Sequence, residues 1–363
     1  MVIQQTVVEV NLKNLKNNLN FLKSKLNPNT LIMGVVKAFS YGADSLIIAK
    51  ELEKQKIDYL AVAYTSEGLM LREKGIMSPI LVLHPQINDF NTIIEFKLEP
   101  SIYSFRVLEA FISCSKFNKN CPFQIKFNTG LNRLGFHENE IDNLIDRLNG
   151  LKPTYIFSHL GASDDENEKD FSNDQIKKFS SLVENFQNKI GSKIKKHLLN
   201  TSGILNFSES QYEMVRTGIG LYGFGNDPKY KNDLRPVISL KTVISQIHKI
   251  SKGSSVGYNK GFIADDNITI ATLPIGHADG ISRQYGNGNA NVMINGKLAP
   301  IIGNVCMDMV MINVSKIICK EGDLVIIFDD KNLSADDFAK SIGTIPYEIL
   351  ASLSKRIKRV VIA

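Results

Sequence analysis

Several signals that would settle the class of this protein at once are scarce or missing. The 363 residues contain four cysteines, at 114, 121, 306 and 319, and no two form a CxxC pair. That argues against a disulfide framework and a zinc knuckle, and no spacing of His, Cys, Asp and Glu reads as a metal-ligand cluster. No apolar run is long enough to span a bilayer. The opening Met-Val-Ile-Gln-Gln-Thr lacks the basic stretch and apolar run of a secretory signal. Lys and Arg are nowhere dense, and no basic segment is interleaved with aromatics. The net charge of +6 is therefore too diffuse for a nucleic-acid arm. Low-complexity stretches and short-period repeats are missing too. The expectation is a reduced, soluble, cytoplasmic protein with neither nucleic-acid nor membrane partners.

What is present is an ordinary globular composition, 43% hydrophobic and 22% charged. At about 150 residues per domain the length suggests two domains, each able to bury a core without staples. Eight short apolar runs recur in the first part: Leu31–Lys37, Asp58–Tyr64, Pro79–His84, Leu98–Ser104, Phe123–Thr129, Pro153–Leu160, His197–Ser202 and Met214–Ile219. Each is bounded by turn residues, as a strand buried on both faces is. Between them lie helical spacings, as in Leu12, Leu15, Leu19, Leu22 and Leu26, in Ile141, Leu144, Ile145 and Leu148, and in Ile176, Phe179, Val183 and Phe186. Eight strands alternating with helices predict an α/β fold with a closed (β/α)8 TIM-like barrel over residues 1–233.

The polar segment Asn226–Pro236 reads as a linker. A mostly β C-terminal domain is predicted over residues 234–363. Its strands are expected in Pro236–Ile250, Ile268–Leu273, Ala290–Ile294, Asp308–Val314, Leu324–Phe328 and Arg356–Ile362. The early run Gln4–Val10 precedes the barrel helices and is a candidate to pair with this second domain.

In such a barrel the site lies where the strands end. The first run delivers Lys37, then Tyr41 and Gly42. The fifth delivers Lys126, then Asn128, Thr129, Gly130 and Arg133; the sixth, His159. The seventh delivers Asn200, Thr201 and Ser202, and the eighth Arg216 and Gly218-Ile219-Gly220. A lysine ending an apolar strand has its pKa lowered by burial and becomes a usable amine nucleophile. Hydroxyls and a glycine-rich backbone after the last two strands offer donors and close approach to a phosphate. An imine-forming lysine across a barrel from a phosphate cradle describes a site for pyridoxal 5'-phosphate. His84, His137 and His248 carry no motif and read as structural, and Cys306 reads as packing.

These residues resemble a known family. Val35-Val36-Lys37-Ala38-Phe39-Ser40-Tyr41-Gly42 is similar to the cofactor-lysine signature of alanine racemases, and Phe127–Gly135 to their second motif. His197–Ser202 and Arg216–Gly223 resemble their phosphate and pyridine motifs. Pro274–Gly280, Val305–Asp308 and Pro346–Glu348 match in the second domain. The likeness covers nearly the whole chain.

The resemblance implies a racemase that interconverts L- and D-alanine for peptidoglycan, working as a homodimer with shared active sites. Other small amino acids, or a D-amino-acid lyase on the same fold, are the alternative. It implies that Lys37 holds the cofactor as an internal aldimine and that Tyr41, Thr201, Gly218, Ile219 and Tyr347 hold its phosphate. Asn200 belongs to the same cofactor-binding set. Arg216 would face the pyridine nitrogen, His159 the ring, and Arg133 the phenolic oxygen and the substrate carboxylate. Met307 would close the substrate site from the partner subunit. Lys126 matches a lysine that relatives can carbamylate. One departure stands out. Where the family usually has a tyrosine as the second base, donated by the neighbouring subunit, this chain has His277, which is able to move protons near neutral pH. Asn128 likewise replaces a frequent aspartate.

Overall fold

The computed structural model describes residues 5–115, 121–225 and 228–362. The chain opens with β1 (Val7–Asn11), and helix Leu12–Lys23 follows without a linker. Asn11 makes the transition: its side-chain oxygen accepts from the Asn14 N–H at 2.9 Å and caps the helix. Leu15, Leu19 and Leu22 form the buried face, and Ser24 ends the helix before Leu26.

Eight parallel strands then close a barrel: β2 (Leu31–Val35), β3 (Tyr59–Val62), β4 (Ile80–Val82), β5 (Glu99–Ile102), β6 (Gln124–Lys126), β7 (Tyr155–Phe157), β8 (Lys195–His197) and β9 (Met214–Thr217). β9 pairs back onto β2, Met214 opposite Leu31, and completes the ring. Most positions in these strands are buried, which is why they read as short apolar runs. Seven strands fall inside the runs expected for them. The eighth corrects the expectation: β8 ends at His197, where the run His197–Ser202 begins. Asn200 is not a strand end but the cap of helix Thr201–Asn206, its side chain accepting from the Gly203 N–H.

After the barrel come β10 (Ile238–Val243), β11 (Gln246–Ile250), β12 (Ser255–Val256), β13 (Phe262–Ile263), β14 (Ile268–Leu273), β15 (Asn291–Ile294), β16 (Lys297–Ile302), β17 (Val310–Asn313), β18 (Leu324–Phe328) and β19 (Lys358–Ile362). β12 and β13 form a two-stranded ribbon. The others join β1 in a nine-stranded sheet of order β11-β14-β17-β16-β15-β18-β10-β1-β19. β1 lies antiparallel to β10 and parallel to β19. The expected run Pro236–Ile250 is two strands, because Ile244 and Ser245 bond to Asp323 and Thr272 and carry the chain to a new neighbour. β16 went unpredicted, since Pro300 interrupts its ladder-forming pattern.

The segment expected as a linker is gripped rather than loose. Residues 226 and 227 lie outside the described residues, but Leu234 is buried, and Asn18 reaches the chain just beyond it. Asn18, fully buried, donates to the carbonyls of Leu221 (3.0 Å) and Arg235 (2.8 Å) and accepts from the Arg235 N–H at 2.8 Å. One apolar core runs from Val8 through the barrel helices to Ile357 without a break. Asn18→Ala would orphan three backbone groups in that core. It is expected to lower unfolding stability by about 3 kcal/mol, seen as a shifted urea midpoint at unchanged slope. A loss well under about 1 kcal/mol would contradict the assigned role of Asn18.

Candidate active site

A cavity of about 730 Å3 opens at the C-terminal ends of the barrel strands. Lys37, Tyr41, Lys126, Arg133, His159, Asn200, Thr201, Arg216, Gly218, Ile219 and Tyr347 all line it. Of the residues to which the resemblance gives a role in catalysis or in holding cofactor or substrate, His277 and Met307 lie elsewhere. Among the described residues no Asp or Glu lines the cavity, whereas two lysines and two arginines do, so its chemistry suits an anion.

Lys37 follows β2 and begins an unusual turn. Ala38, Phe39, Ser40 and Tyr41 have φ of 53°, 55°, 53° and 51°, and Gly42 has 83°. This left-handed stretch folds Tyr41 back into the cavity beside Lys37. Glu67 steadies its start, accepting from the Ala38 N–H at 2.7 Å and the Ala63 N–H at 2.7 Å. Arg359 of β19 donates to the Gly42 carbonyl at 2.9 Å. Burial lowers the Lys37 pKa, Arg133 lowers it further, and Glu67 partly offsets both.

The loop after β6 is built by Asn128. Its side-chain oxygen accepts from the N–H groups of Gly130 (3.1 Å) and Asn132 (3.0 Å), and its amide donates to Asn132 Oδ1 at 2.9 Å. That closed turn delivers Arg133 to the rim. Lys126 is 7% exposed. Burial, then the charges of Arg133, Arg216 and Lys37, lower its pKa to about 8. Its charged neighbours are thus all cations, and the Phe157 ring lies 5.8 Å from its Nζ.

Arg216 on β9 is held from several sides. One terminal nitrogen, Nη2, donates to the carbonyls of Ser158 (2.7 Å) and Leu198 (2.8 Å) and to His159 Nδ1 (3.1 Å). The other, Nη1, donates to His197 Nδ1. Burial brings its pKa down to about 9, which leaves the guanidinium charged at neutral pH. Burial, and then Arg216, hold His159 far below the usual histidine range. The ring is neutral, and with Nδ1 accepting, its proton sits on Nε2.

After β9, next to β2 in the barrel, Thr201 Oγ1 accepts from the N–H groups of Gly218 (3.3 Å) and Gly220 (3.2 Å). A Cβ on Gly218 would stand 2.3 Å from the Tyr41 hydroxyl, so only glycine lets the backbone come this close. Tyr41 packs between Tyr222 and Tyr347, at ring distances of 4.5 and 6.1 Å, and burial raises its pKa so that the phenol keeps its proton.

Two cavity residues escaped the sequence reading. Tyr64 and His84 line the same cavity, the His84 ring stacked on Tyr103 at 5.5 Å and edge-on to Tyr64 at 5.7 Å. His84 had been expected to be structural. It ends a barrel-strand run as Lys37 does, and that position was the available signal. His137 caps a short turn, and His248 lies in β11. Cys306 packs against a small apolar cluster around Val256 and Ile270.

His277 and Met307 sit on two loops of the sheet region, and both side chains are exposed. The loops are bolted together. The N–H groups of His277 and Ala278 donate to the Cys306 and Met307 carbonyls at 2.9 and 3.0 Å. Arg356 donates to both oxygens of Asp279 (2.6 and 2.8 Å) and to Asp308 (2.7 Å). Around Met307 the surface is apolar: Tyr258, Met307 and Met309 are 71%, 59% and 48% exposed.

Fold and cavity together place a lysine of lowered pKa beside a tightly packed glycine backbone in a cation-rich cavity at the mouth of a closed barrel. Comparison with known proteins narrows this. The family described as "Alanine racemase, N-terminal domain" matches residues 10–226, and "Alanine racemase, C-terminal domain" matches residues 237–361. Alanine racemase 2 of Caldanaerobacter subterraneus is 36% identical over 99% of this chain and 95% of its own length. Alanine racemase of Helicobacter pylori is 36% identical over 99% of this chain and 100% of its own. Among solved structures, alanine racemase of Clostridium difficile superposes with a TM-score of 0.92 at 33% identity, over 100% of this chain and 97% of that one. The chain belongs to the alanine racemase family.

The lowered pKa of Lys126 is open to direct measurement. Its amine is protonated and inert well below about pH 8 and neutral and nucleophilic above it. Acetylation by a brief pulse of acetic anhydride, followed by peptide mass spectrometry, is expected to rise through a midpoint near that pH and well ahead of surface lysines. A midpoint like that of the exposed lysines would refute the cationic-neighbour account.

Proposed function

We propose that the protein is an alanine racemase that holds pyridoxal 5'-phosphate in this cavity, interconverts L- and D-alanine, and so supplies D-alanine for peptidoglycan in a bacterial cytoplasm. The observation that carries this reading is the shared cavity: a lysine of lowered pKa after β2 and, after the neighbouring β9, a glycine whose Cβ would meet a tyrosine hydroxyl. The residues present fit the cofactor. Tyr41, Thr201, Gly218, Ile219 and Tyr347 would take its phosphate, with Asn200 shaping the cradle, and the surrounding cations would offset its charge.

When bound, the cofactor supplies an electron sink that makes the α-proton of an attached amino acid removable. Lys37 would hold the cofactor and, once released, carry a proton on one face of the substrate. Arg216 cannot readily give up a proton, so it would leave the ring nitrogen unprotonated and the sink mild, which disfavours competing reactions. His159 would lie against the ring. Arg133 would bind the cofactor's phenolic oxygen and the substrate carboxylate, and Lys126, modified by carbon dioxide as a carbamate, would orient Arg133.

The opposite face needs a second base. His277 and Met307 are exposed on bolted loops with an apolar surround, outside the cavity of their own chain. A head-to-tail homodimer would bring them to the cavity of the partner, His277 to move the second proton and Met307 to narrow the substrate site.

Incubation with L-alanine in deuterated water is expected to yield D-alanine carrying deuterium at the α-carbon, and borohydride is expected to fix the cofactor on Lys37. Release of carbon dioxide or ammonia instead would overturn the racemase reading, as would cofactor trapped on another lysine. His277→Ala is expected to slow racemisation by about 100-fold or more, unequally in the two directions. Unchanged rates in both directions would exclude His277 as the second base.

A further inference from the structure

Glu99 is the only acidic residue in the eight barrel strands. It opens β5, at the end of the barrel away from the cavity rim, and is 6% exposed. No step of the proposed reaction calls for an acid there. Its Oε2 accepts from Gln124 Nε2 at 2.9 Å and its Oε1 from the Tyr59 hydroxyl at 3.2 Å, with Thr154 Oγ1 at 3.4 Å. From Gln124 the contacts climb the barrel interior. Gln124 Oε1 lies 2.8 Å from His197 Nε2, and His197 Nδ1 meets Arg216 Nη1.

Donor chemistry makes these contacts run one way. A guanidinium only donates, so His197 Nδ1 accepts. His197 is wholly buried, and burial followed by the Arg216 charge holds its pKa far below the usual range. The ring is therefore neutral and carries its proton on Nε2, which donates to Gln124 Oε1. Only the Gln124 amide nitrogen is then left for the carboxylate. A flipped Gln124 would set donor against donor and oxygen against oxygen. The His197 ring also lies flat on Phe157, 4.9 Å away with 7° between the planes, which resists rotation. A buried guanidinium bonded to carbonyls and imidazoles is thus linked to a carboxyl group three hydrogen bonds away, whose pKa burial raises against the opposing pull of its hydrogen bonds and of Arg72.

We propose that Glu99 is a positioning residue for Arg216: its carboxylate anchors the chain Arg216→His197→Gln124→Glu99, which locks His197 as the Nε2–H tautomer and holds the guanidinium at the cavity floor. This deepens the proposed function and rests on Arg216 facing the cofactor ring. Glu99 itself touches neither cofactor nor substrate.

The test is nitrogen-15 NMR of the histidine side chains in the full-length, cofactor-loaded protein. In the unsubstituted protein His197 is expected to be protonated at Nε2 and bare at Nδ1. Glu99→Gln keeps the shape and removes the charge, and Gln124→Met cuts the link while leaving Glu99 with Tyr59. Both are expected to move the His197 nitrogen shifts and to lower kcat on the order of 10-fold, the scale seen for outer orienting partners, with KM for alanine little changed. Glu99→Asp, which retains the charge, is expected to move the shifts back toward their original values. The proposal is overturned if His197 is protonated at Nδ1. It is equally overturned if a folded Glu99→Gln or Gln124→Met leaves the His197 shifts in place, even with a lowered Tm, since the acid would then be structural alone. Should one variant fail to fold, the other and the tautomer of the unsubstituted protein decide. The shifts do not depend on turnover, so a failure of the racemase reading would show separately, as absent D-alanine with the nitrogen pattern intact.

Discussion

The left-handed turn from Ala38 to Gly42 is the constraint on which the rest of the site depends. Four successive side-chain-bearing residues occupy a region that costs roughly 1–2 kcal/mol apiece. The turn sends Lys37 and Tyr41 to one cavity within five residues. The holding contacts come from two directions. Glu67, in the first turn of the helix Thr65–Glu73 after β3, fixes the first amide, while Arg359 on β19 fixes the last carbonyl from the sheet. Arg359 and Lys355 also cover the Phe39 ring, at 5.2 and 5.0 Å. Gly42 is packed so tightly that a Cβ would stand 2.1 Å from the Leu350 carbonyl oxygen. The sheet is thus part of what builds the barrel's cavity, and β1, which leaves the sheet to start the first barrel helix, ties the two together at the other end.

Charge placement follows a similar logic. Four cations ring a cavity without a carboxylate among its lining residues. Their mutual repulsion is part of why Lys37 and Lys126 have lowered pKa values, so the same arrangement that suits an anion also readies two amines for chemistry. An acid placed among them would have neutralised the anion site. The barrel's one strand acid lies instead at the opposite end, joined to the site by neutral groups. Separation lets Arg216 stay charged and oriented without closing the cavity to its ligand.

Much of this was legible in the chain. Strands buried on both faces leave compact apolar runs, and seven of eight announced themselves that way. The rule that barrel sites lie where strands end picked out Lys37, Lys126, His159 and Arg216 together. The failures have equally definite causes. Asn200 looked like the end of a strand because an N-cap and a strand terminus draw on the same small polar residues. β16 hid behind Pro300. Nothing in Ala38-Phe39-Ser40-Tyr41 announces a left-handed backbone, because the contacts that enforce it come from residues near 67 and 359. His84 was set aside for want of a motif, although its place at the end of a run was the same evidence that had singled out Lys37.

The pairing of His277 with Met307 was beyond sequence reasoning for a related reason: the piece that joins them is Arg356, nearly fifty residues further on. Its guanidinium spans Asp279 and Asp308, and the backbone bonds from His277 and Ala278 to Cys306 and Met307 set the loops in register. In the proposed homodimer, a residue that moves a proton for the other copy of the chain cannot be positioned by the cavity it serves. It has to arrive already placed. Two loops pinned by three ion-paired side chains, with the strand β19 starting two residues after Arg356, supply that rigidity from the donor side. An imidazole is shorter than a phenol, which makes the accuracy of that placement matter more here than it would for a tyrosine. Arg356, just before β19, and Arg359, within it, thus steady two parts of the molecule: one the loops that carry His277 and Met307, the other the turn that shapes the cavity.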